Sequence, residues 1–392
     1  MEKIKLALVG IGGYGKMYTD YLLDRHDDRI VPVGVADPFA STSPRLSDLQ
    51  SAGIPVYDSI DSLLAEQSPD LTVIVTPIQF HTPQILAALQ AGSNVLCEKP
   101  LCADEGDIEI LEKASRDAGR FVFIGYQWSY SPVTLAIKKD IQSGKFGGCI
   151  DMKSMVLWPR DFAYYHRGSG WAGKIRDDQG NAVYDSIANN ATAHYLHNML
   201  FVLGKDGEAA TPATIHGELY RANDIENYDT CKVDLTMPDG AALHYLTSHA
   251  VDMSLNPIYH FHFEKADVYY AQSDTPLARS LMPADYTEYG KAVAVFRDGT
   301  RYTYGDPFAN DLQKLETAIT AALAGDTNEY PCGIRAASVH TKVINYLQKQ
   351  ETVRAFPADR VVRSDKAVYV SGLVDDMVRC WHDPAHTTLF AK

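Results

Sequence analysis

The spacing of hydrophobic and polar positions changes character once along this chain. Over the first 125 residues, short apolar runs alternate with stretches whose apolar residues return every three or four positions. Ile4–Val9, Val31–Ala36, Asp70–Val75, Asn94–Cys97 and Phe121–Ile124 read as strands. Tyr14–Leu23, His81–Ala91 and Ala103–Ala118 read as helices. Strands alternating with helices predict parallel βαβ units in a doubly wound α/β sheet, with ligands bound at the carboxyl ends of the strands.

Ser131-Pro132 opens the next helix, with Ser as N-cap and Pro in the first turn, and that helix ends near Gly144. Strand-like runs then dominate: Cys149–Leu157, Ala213–Tyr220, Asp229–Leu235, Ala241–Ser248, Tyr259–Phe263, Ala292–Phe296 and Arg301–Tyr304. Turns such as Pro238-Asp239-Gly240 and Asp298-Gly299 separate several of them. Few helices intervene, which predicts a large, open, mostly antiparallel sheet. Helical spacing returns at Asp311–Leu323 and Ile334–Gln348. The expected organisation is a nucleotide-binding domain over residues 1–125 and an α+β substrate and oligomerisation domain over 126–392, with C-terminal helices able to pack back on the first.

Gly10-Ile11-Gly12-Gly13-Tyr14-Gly15 matches GxGxxG and stands between an expected strand and an expected helix. Gly10 permits the tight turn, Gly12 a close approach to a pyrophosphate, and Gly15 close helix–strand packing. The helix N-terminus adds amide donors and a positive dipole end. This is a Rossmann fingerprint. Asp37 ends the second strand, roughly 20 residues further on, where a carboxylate accepts hydrogen bonds from a ribose and repels a 2′-phosphate. NAD is therefore expected over NADP, with Arg45 as the one nearby cation able to swing toward a phosphate.

Composition narrows the partners. A formal net charge of −14 disfavours nucleic acid and anionic membranes. With 46% hydrophobic and 22% charged residues the chain reads as globular rather than disordered. Six scattered cysteines without a CxxC pair make no disulfide framework, so a reducing cytoplasm is the expected location. No apolar run of about 18 residues is present to span a membrane.

Further motifs stand in order. Asn94–Cys97 is followed by Glu98-Lys99-Pro100, and Thr76-Pro77 with His81 follows the preceding strand. Residues 141–148 read IQSGKFGG, and residues 190–204 read NATAHYLHNMLFVLG. Together these resemble the glucose–fructose oxidoreductase/inositol dehydrogenase (Gfo/Idh/MocA) family over residues 4 to about 205. The resemblance implies a Rossmann domain followed by an open sheet that forms a homodimer or homotetramer contact. It implies hydride transfer between a nicotinamide and a secondary alcohol of a sugar, glycoside or polyol, at a site between the domains. It places Thr76, Pro77, His81, Glu98 and Lys99 around the cofactor.

A lysine ammonium at position 99 can hydrogen-bond the reacting oxygen and stabilise developing alkoxide charge. By resemblance His194 is the base that takes the hydroxyl proton, a role its ordinary pKa suits near neutrality. Asn190 precedes it at i−4 on an expected helix Ala191–Leu203. This chain departs from the family pattern in carrying Asn190 and His197 where aspartates are usual. Asn190 supplies a hydrogen bond but no charge, and Asp185 can substitute only if the loop before the helix folds back. His194 and His197 have HxxH spacing, but no cysteine or carboxylate motif completes a metal shell, so no metal is expected.

Trp158, Arg160, Tyr164, Tyr165, Arg167, Trp171 and Lys174 crowd the stretch before the expected catalytic helix. Aromatic faces stack on sugar rings, and Arg and Lys donors bind hydroxyls or carboxylates. The stretch is either a substrate wall or a packed loop or subunit contact. Tyr126 and Gln127 follow the last Rossmann strand and are expected to face the cleft, Tyr126 toward substrate and Gln127, like Tyr14 and Gly13, toward cofactor. His260-Phe261-His262-Phe263 alternates as a strand with one packed and one polar face. The expected function is an NAD-dependent sugar or polyol dehydrogenase. Two alternatives use the same scaffold: a redox-neutral NAD-dependent glycosidase, and a non-catalytic NAD-binding regulator.

Overall fold

The structure is a computed structural model that describes residues 3–167, 170–308 and 310–390. The chain divides into two compact units. The first comprises residues 1–130, 206–208 and 311–338, and the second the remainder.

In the first unit, β1 (Ile4–Val9), β2 (Ile30–Ala36), β3 (Val56–Tyr57), β4 (Leu71–Ile74), β5 (Asn94–Cys97) and β6 (Val122–Ile124) form one sheet in the order β3-β2-β1-β4-β5-β6. All its pairings are parallel. Every residue of β4 and β5 is buried, as a parallel sheet covered on both faces requires, which is why these strands read as unbroken apolar runs. The order reverses between β1 and β4, the switch point at which such sheets bind ligands. Sequence spacing did not reveal β3 or the short helices Leu46–Ser51 and Ile60–Glu66, the last capped by Ser59. The helix expected from Ala103 starts at Asp107. Helix Gln313–Ala324 belongs to this unit and packs on β1, β4 and β5.

In the second unit, β7 (Cys149–Leu157), β8 (Thr214–Arg221), β9 (Thr230–Thr236), β10 (Ala242–Ser248), β11 (Leu255–Phe263), β12 (Ala266–Ala271), β13 (Ala292–Phe296), β14 (Arg301–Gly305) and β15 (Val353–Ala355) form a single sheet. Its order is β14-β13-β12-β11-β7-β10-β9-β8-β15. Only β7 with β10 and β8 with β15 pair in parallel; the other ladders are antiparallel. The mixed α/β architecture expected from the sequence is therefore observed. β12, missed in the sequence, returns from β11 through Glu264-Lys265 alone.

Along β11, Tyr259, Phe261 and Phe263 are buried while His260 and His262 are half-buried, the alternation read from the sequence. His260 hydrogen-bonds Asp267, which also forms an ion pair with Arg297, so this polar face is a connected polar network. Toward the other end of the sheet, Met155, Leu246 and Ile258 join a core closed by helices Pro276–Leu281 and Leu373–His382, neither apparent beforehand. Helix Ala193–Leu203 packs on β7 and on helix Pro132–Gln142. Among the described residues no helix is long and apolar enough to cross a membrane, and all six cysteines are free thiols.

Candidate active site

Gly10 leaves β1 with φ +87°, and a Cβ there would come within 2.6 Å of the Val75 carbonyl oxygen beyond β4. A Cβ on Gly15 would lie 2.2 Å from the Gly10 carbonyl oxygen. Both positions are closed to any side chain, so the turn folds tightly into the first residues of helix Gly15–Asp24. The Asp37 carboxylate clamps this turn. Its Oδ2 accepts from the Ile11 amide at 2.9 Å and its Oδ1 from the Phe39 amide at 2.8 Å. Gly12 lies beside it, its Cβ position 4.0 Å from Asp37 Oδ2. The cradle, the helix start and the carboxylate at the end of β2 fit a dinucleotide with an unphosphorylated ribose. Arg45 does not turn toward Asp37. It is held by Asp20, Asp24 and Asp48 at 3.3, 2.7 and 2.9 Å.

The turns after β4 and β5 are tied together by His81. Its Nδ1 lies 2.7 Å from the Pro100 carbonyl oxygen and its Nε2 2.9 Å from that of Thr76. The ring is buried, and burial pulls its pKa below the ordinary value. Thr76 donates its hydroxyl to Gln84 Oε1 at 2.5 Å, and Pro77 continues that turn. The Lys99–Pro100 bond is cis, an isomer the sequence left open.

Glu98 turns inward. Its carboxylate accepts from the Tyr18 hydroxyl at 2.5 Å and from the Lys99 amide at 3.3 Å. It lies over Gly125, where a Cβ would meet Glu98 Oε2 at 2.8 Å. It is also ion-paired with Lys314, whose side chain is wholly buried. Burial alone would draw the Lys314 ammonium down, but Glu98 and Tyr14 outweigh it and hold its pKa above the ordinary value. Lys314 was absent from the sequence reading, because helix Gln313–Ala324 looks like any amphipathic helix until it is seen against β5. Lys99 itself is half-buried at the carboxyl edge of the sheet. Gln127 meets the glycine turn, its Oε1 3.4 Å from the Tyr14 hydroxyl. Tyr126 lies in the core of this unit, where burial raises its phenol well above the ordinary value.

In the second unit the helix starts at Ala193 rather than Ala191, so Asn190 stands in the turn before it and not on its face. The loop does fold back. Asn190 Nδ2 donates to Asp185 Oδ1 at 2.8 Å, while Asp185 Oδ2 accepts from the Gly173 amide at 2.6 Å. A carboxylate thus reaches the turn that precedes His194 from outside the NATAH segment. His194 is half-buried in the first helical turn. His197 is buried, its ring stacked on Phe201 at 5.6 Å. Burial, with His340 and Lys138 adding to it, lowers its pKa well below the ordinary value.

The aromatic and cationic stretch gathers on one ring. A short helix, Phe162–Tyr165, is capped by Asp161, whose Oδ1 accepts from the Tyr164 amide at 2.9 Å. Over or beside the Tyr164 ring lie Arg167 at 3.6 Å, Arg160 at 4.8 Å, Tyr165 at 5.2 Å and His249 at 5.3 Å. Arg167 also reaches the Trp171 ring at 5.1 Å. Trp158 donates Nε1 to Asn256 Oδ1 at 3.1 Å and meets the Tyr195 ring edge-on at 5.8 Å. Lys174 is engaged by Asp178 at 2.6 Å within its own loop. Tyr164, Tyr165, Asp185 and His249 line one small cavity. His249, at the end of β10, carried no sequence signal.

Residues 4–126 match the model of the oxidoreductase family with an NAD-binding Rossmann fold, Gfo/Idh/MocA. The N-terminal domain belongs to that family. The family so matched is one of oxidoreductases, and its NAD-binding Rossmann fold is the one that residues 4–126 adopt. An inositol 2-dehydrogenase of Rhizobium meliloti is 23% identical over 322 residues, covering 81% of this chain and 88% of its own length. An inositol 2-dehydrogenase of Rubrobacter xylanophilus is 30% identical over 210 residues, covering 53% of this chain and 54% of its own length. The alignments with two Corynebacterium glutamicum relatives span only 45% of those proteins. Among solved structures, the WlbA dehydrogenase of Bordetella pertussis, crystallised with NADH and UDP-GlcNAcA, shares the fold with a TM-score of 0.68. It is 22% identical and covers 91% of this chain and 100% of its own.

Proposed function

We propose that this protein oxidises a secondary hydroxyl of a sugar, glycoside or other polyol with NAD as hydride acceptor. The observation that carries the reading is a juxtaposition on the first unit's sheet: the glycine turn after β1, Asp37 after β2 and Lys99 after β5 all stand at its carboxyl edge. Bound NAD supplies the hydride acceptor. The relatives described as inositol 2-dehydrogenases support a polyol as donor.

In this reading Lys99 donates a hydrogen bond to the reacting oxygen and stabilises alkoxide charge as it develops. Glu98, neutralised by Lys314 and held by Tyr18, fixes the backbone from which Lys99 projects. His194 accepts the hydroxyl proton as the C–H electron pair leaves, so that CH–OH becomes C=O with one hydride and one proton removed. Asn190, anchored by Asp185, orients the turn that presents His194. Trp158, Arg160, Tyr164, Tyr165, Arg167 and Trp171 supply stacking faces and donors for the substrate.

The test is NADH absorbance on mixing the purified protein and NAD with free sugars, uronates, inositols and aryl glycosides. Absorbance that rises with one group and is lost in Lys99→Ala supports the dehydrogenase. Release of free reducing sugar without net NADH would replace it with the redox-neutral glycosidase. Bound NAD with no change in any compound would leave the non-catalytic regulator.

A further inference from the structure

We infer that the second unit carries a subsite for an anionic group on the polyol, a carboxylate or a phosphate, built by Arg160, Arg167, Tyr165 and His249 around the Tyr164 ring. The inference rests on the reading of the chain as a polyol dehydrogenase and narrows its substrate to acidic polyols.

The first argument is charge. Two guanidiniums share one ring, at 3.6 and 4.8 Å from its centroid. Two cations on one ring concentrate positive charge there, which favours an anion nearby. Elsewhere in this unit, Arg279, Arg297, Arg301, Arg360 and Arg379 each pair with an aspartate. Among the described residues Arg160 and Arg167 pair with none, as Arg176, Arg221, Arg354 and Arg363 do not; of these only Arg160 and Arg167 share one ring, and Arg167 donates to the Tyr164 carbonyl. Asp185, the acid that lines the adjoining cavity, accepts from the Gly173 amide and from Asn190. Stacking on Tyr164 holds both planar guanidiniums in place before a ligand arrives, so little side-chain freedom is lost on binding.

The second argument is unmet hydrogen bonding. Arg160 Nε, Tyr165 Oη and His249 Nε2 are all buried and lack a partner among the described residues. Buried polar atoms are nearly always paired, so several together mark a place for a ligand or ordered water. Their chemistry differs in a useful way. His249 Nδ1 lies 2.8 Å from the Trp158 carbonyl oxygen. A carbonyl only accepts, so Nδ1 carries the hydrogen and Nε2 presents a bare lone pair. Burial, followed by the charge of Arg160, pushes this imidazole down to about 3, which keeps that lone pair available. The group therefore offers cationic donors beside one neutral acceptor. That pattern matches an anion flanked by a hydroxyl, as in a sugar acid or a sugar phosphate, and leaves donors unmet by a neutral polyol.

The cavity also touches Asp185, the residue that anchors Asn190 four positions before His194. Through Asp185 the cavity is linked to the turn that precedes the proposed base.

The experiment compares matched substrates on the full chain with NAD: glucuronate and glucose 6-phosphate against glucose, and galacturonate against galactose. Initial rates are paired with calorimetry of the same compounds in wild type, Arg160→Met and Arg160→Lys, with melting temperature as the folding control. An acidic member is expected to exceed its neutral counterpart at least about tenfold in kcat/KM, mainly through KM, as one charge-assisted contact is worth. Arg160→Met should collapse that ratio toward one, and Arg160→Lys should keep part of it. Preference for the uronates assigns the anion as carboxylate, and preference for the phosphate assigns it as phosphate. Neutral and acidic sugars turned over alike, with an acid-to-neutral ratio that Arg160→Met does not move, would overturn the subsite and leave the dehydrogenase standing. Should no compound reduce NAD, the dehydrogenase reading falls and calorimetry decides alone. Acid binding lost in Arg160→Met keeps the subsite, and absence of acid binding removes it.

Discussion

Asn190 donates its side-chain amide to Asp185 across 2.8 Å, so the position where relatives are expected to carry an aspartate is supplied with a carboxylate from five residues upstream. A carboxylate therefore stands beside Asn190. Asp185→Asn should lower kcat about tenfold or more while the affinity for NAD is unchanged, in keeping with the loss of one positioned polar group. Asn190→Asp alone should also fail, because it sets two carboxylates at hydrogen-bond distance. The reciprocal swap, with both substitutions together, should recover most of the activity. Steady-state kinetics on the three variants check this, and a swap no better than either single change would sink the idea.

Lys99→Met removes the ammonium and keeps the stem. The expected loss is about 10²–10³ in kcat, the scale of one donor to a developing oxyanion. NAD binding, read by fluorescence titration, should persist. A variant that loses cofactor binding instead would show that Lys99 serves the dinucleotide rather than the hydroxyl.

Asp37 bonds the Ile11 and Phe39 amides and so stands fixed beside the glycine turn. Wild type should prefer NAD over NADP by about tenfold or more in kcat/KM, because a fixed carboxylate opposes a 2′-phosphate. Asp37→Ser should narrow that ratio, chiefly by weakening NAD, since Arg45 stays tied to three aspartates. A ratio that does not move would place cofactor choice elsewhere.

Lys314 is wholly buried and its partner Glu98 nearly so. Removing one member strands the other charge in the core, so Lys314→Met should cost about 3–5 kcal/mol. Adding Glu98→Gln should restore part of that loss, because no uncompensated charge then remains. Denaturant unfolding of the single and double variants measures both. Additive losses would mean the two charges do not interact.

Acid should weaken the fold before its carboxylates titrate. His197 and His249 are buried and neutral, the first held well below the usual 6.5 and the second at about 3. Once unfolded, both take up a proton below about pH 6.5, so the unfolded chain binds more protons and stability falls with pH. Stability should be full above about pH 6.5 and drop by about 1.4 kcal/mol per pH unit per histidine below it. His197→Phe keeps a ring beside Phe201 and should remove one proton's worth of that slope. Urea unfolding at pH 7, 6 and 5 tests it; equal slopes in both proteins would exclude His197 as a contributor.

Features carried by neighbouring residues were legible in the sequence. The glycine turn, Asp37 and the Glu98-Lys99-Pro100 turn each declare themselves within a few positions of a strand end, and the parallel strands announce themselves by unbroken apolar runs. Features made by distant pairs were not. Lys314 becomes the counter-ion of Glu98 only once its helix lies on β5, and no local pattern marks a lysine for burial. Asn190 and His194 have helical spacing, yet the turn to Asp185 competes with the helix and delays its start to Ala193. His197 reads like its neighbour His194, but the packed side of the helix takes one and leaves the other half-exposed. His249 follows β10, one of whose two partners, β7, lies far back in the chain.

That pairing of β7 with β10 is parallel, and it sits at the middle of a sheet that is otherwise almost wholly antiparallel. Parallel neighbours cannot be joined by a tight turn, so the chain leaving β7 must travel back the length of the sheet before it can lie beside its own start. Trp158, the arginine pair, Asp185, Asn190 and His194 all ride on that return journey. Between Leu157 and Thr214 that journey contributes no strand to the sheet, so the length of this stretch is set by no ladder register of the sheet. Substitutions or insertions in this stretch can therefore change what is recognised without disturbing the strands that frame it.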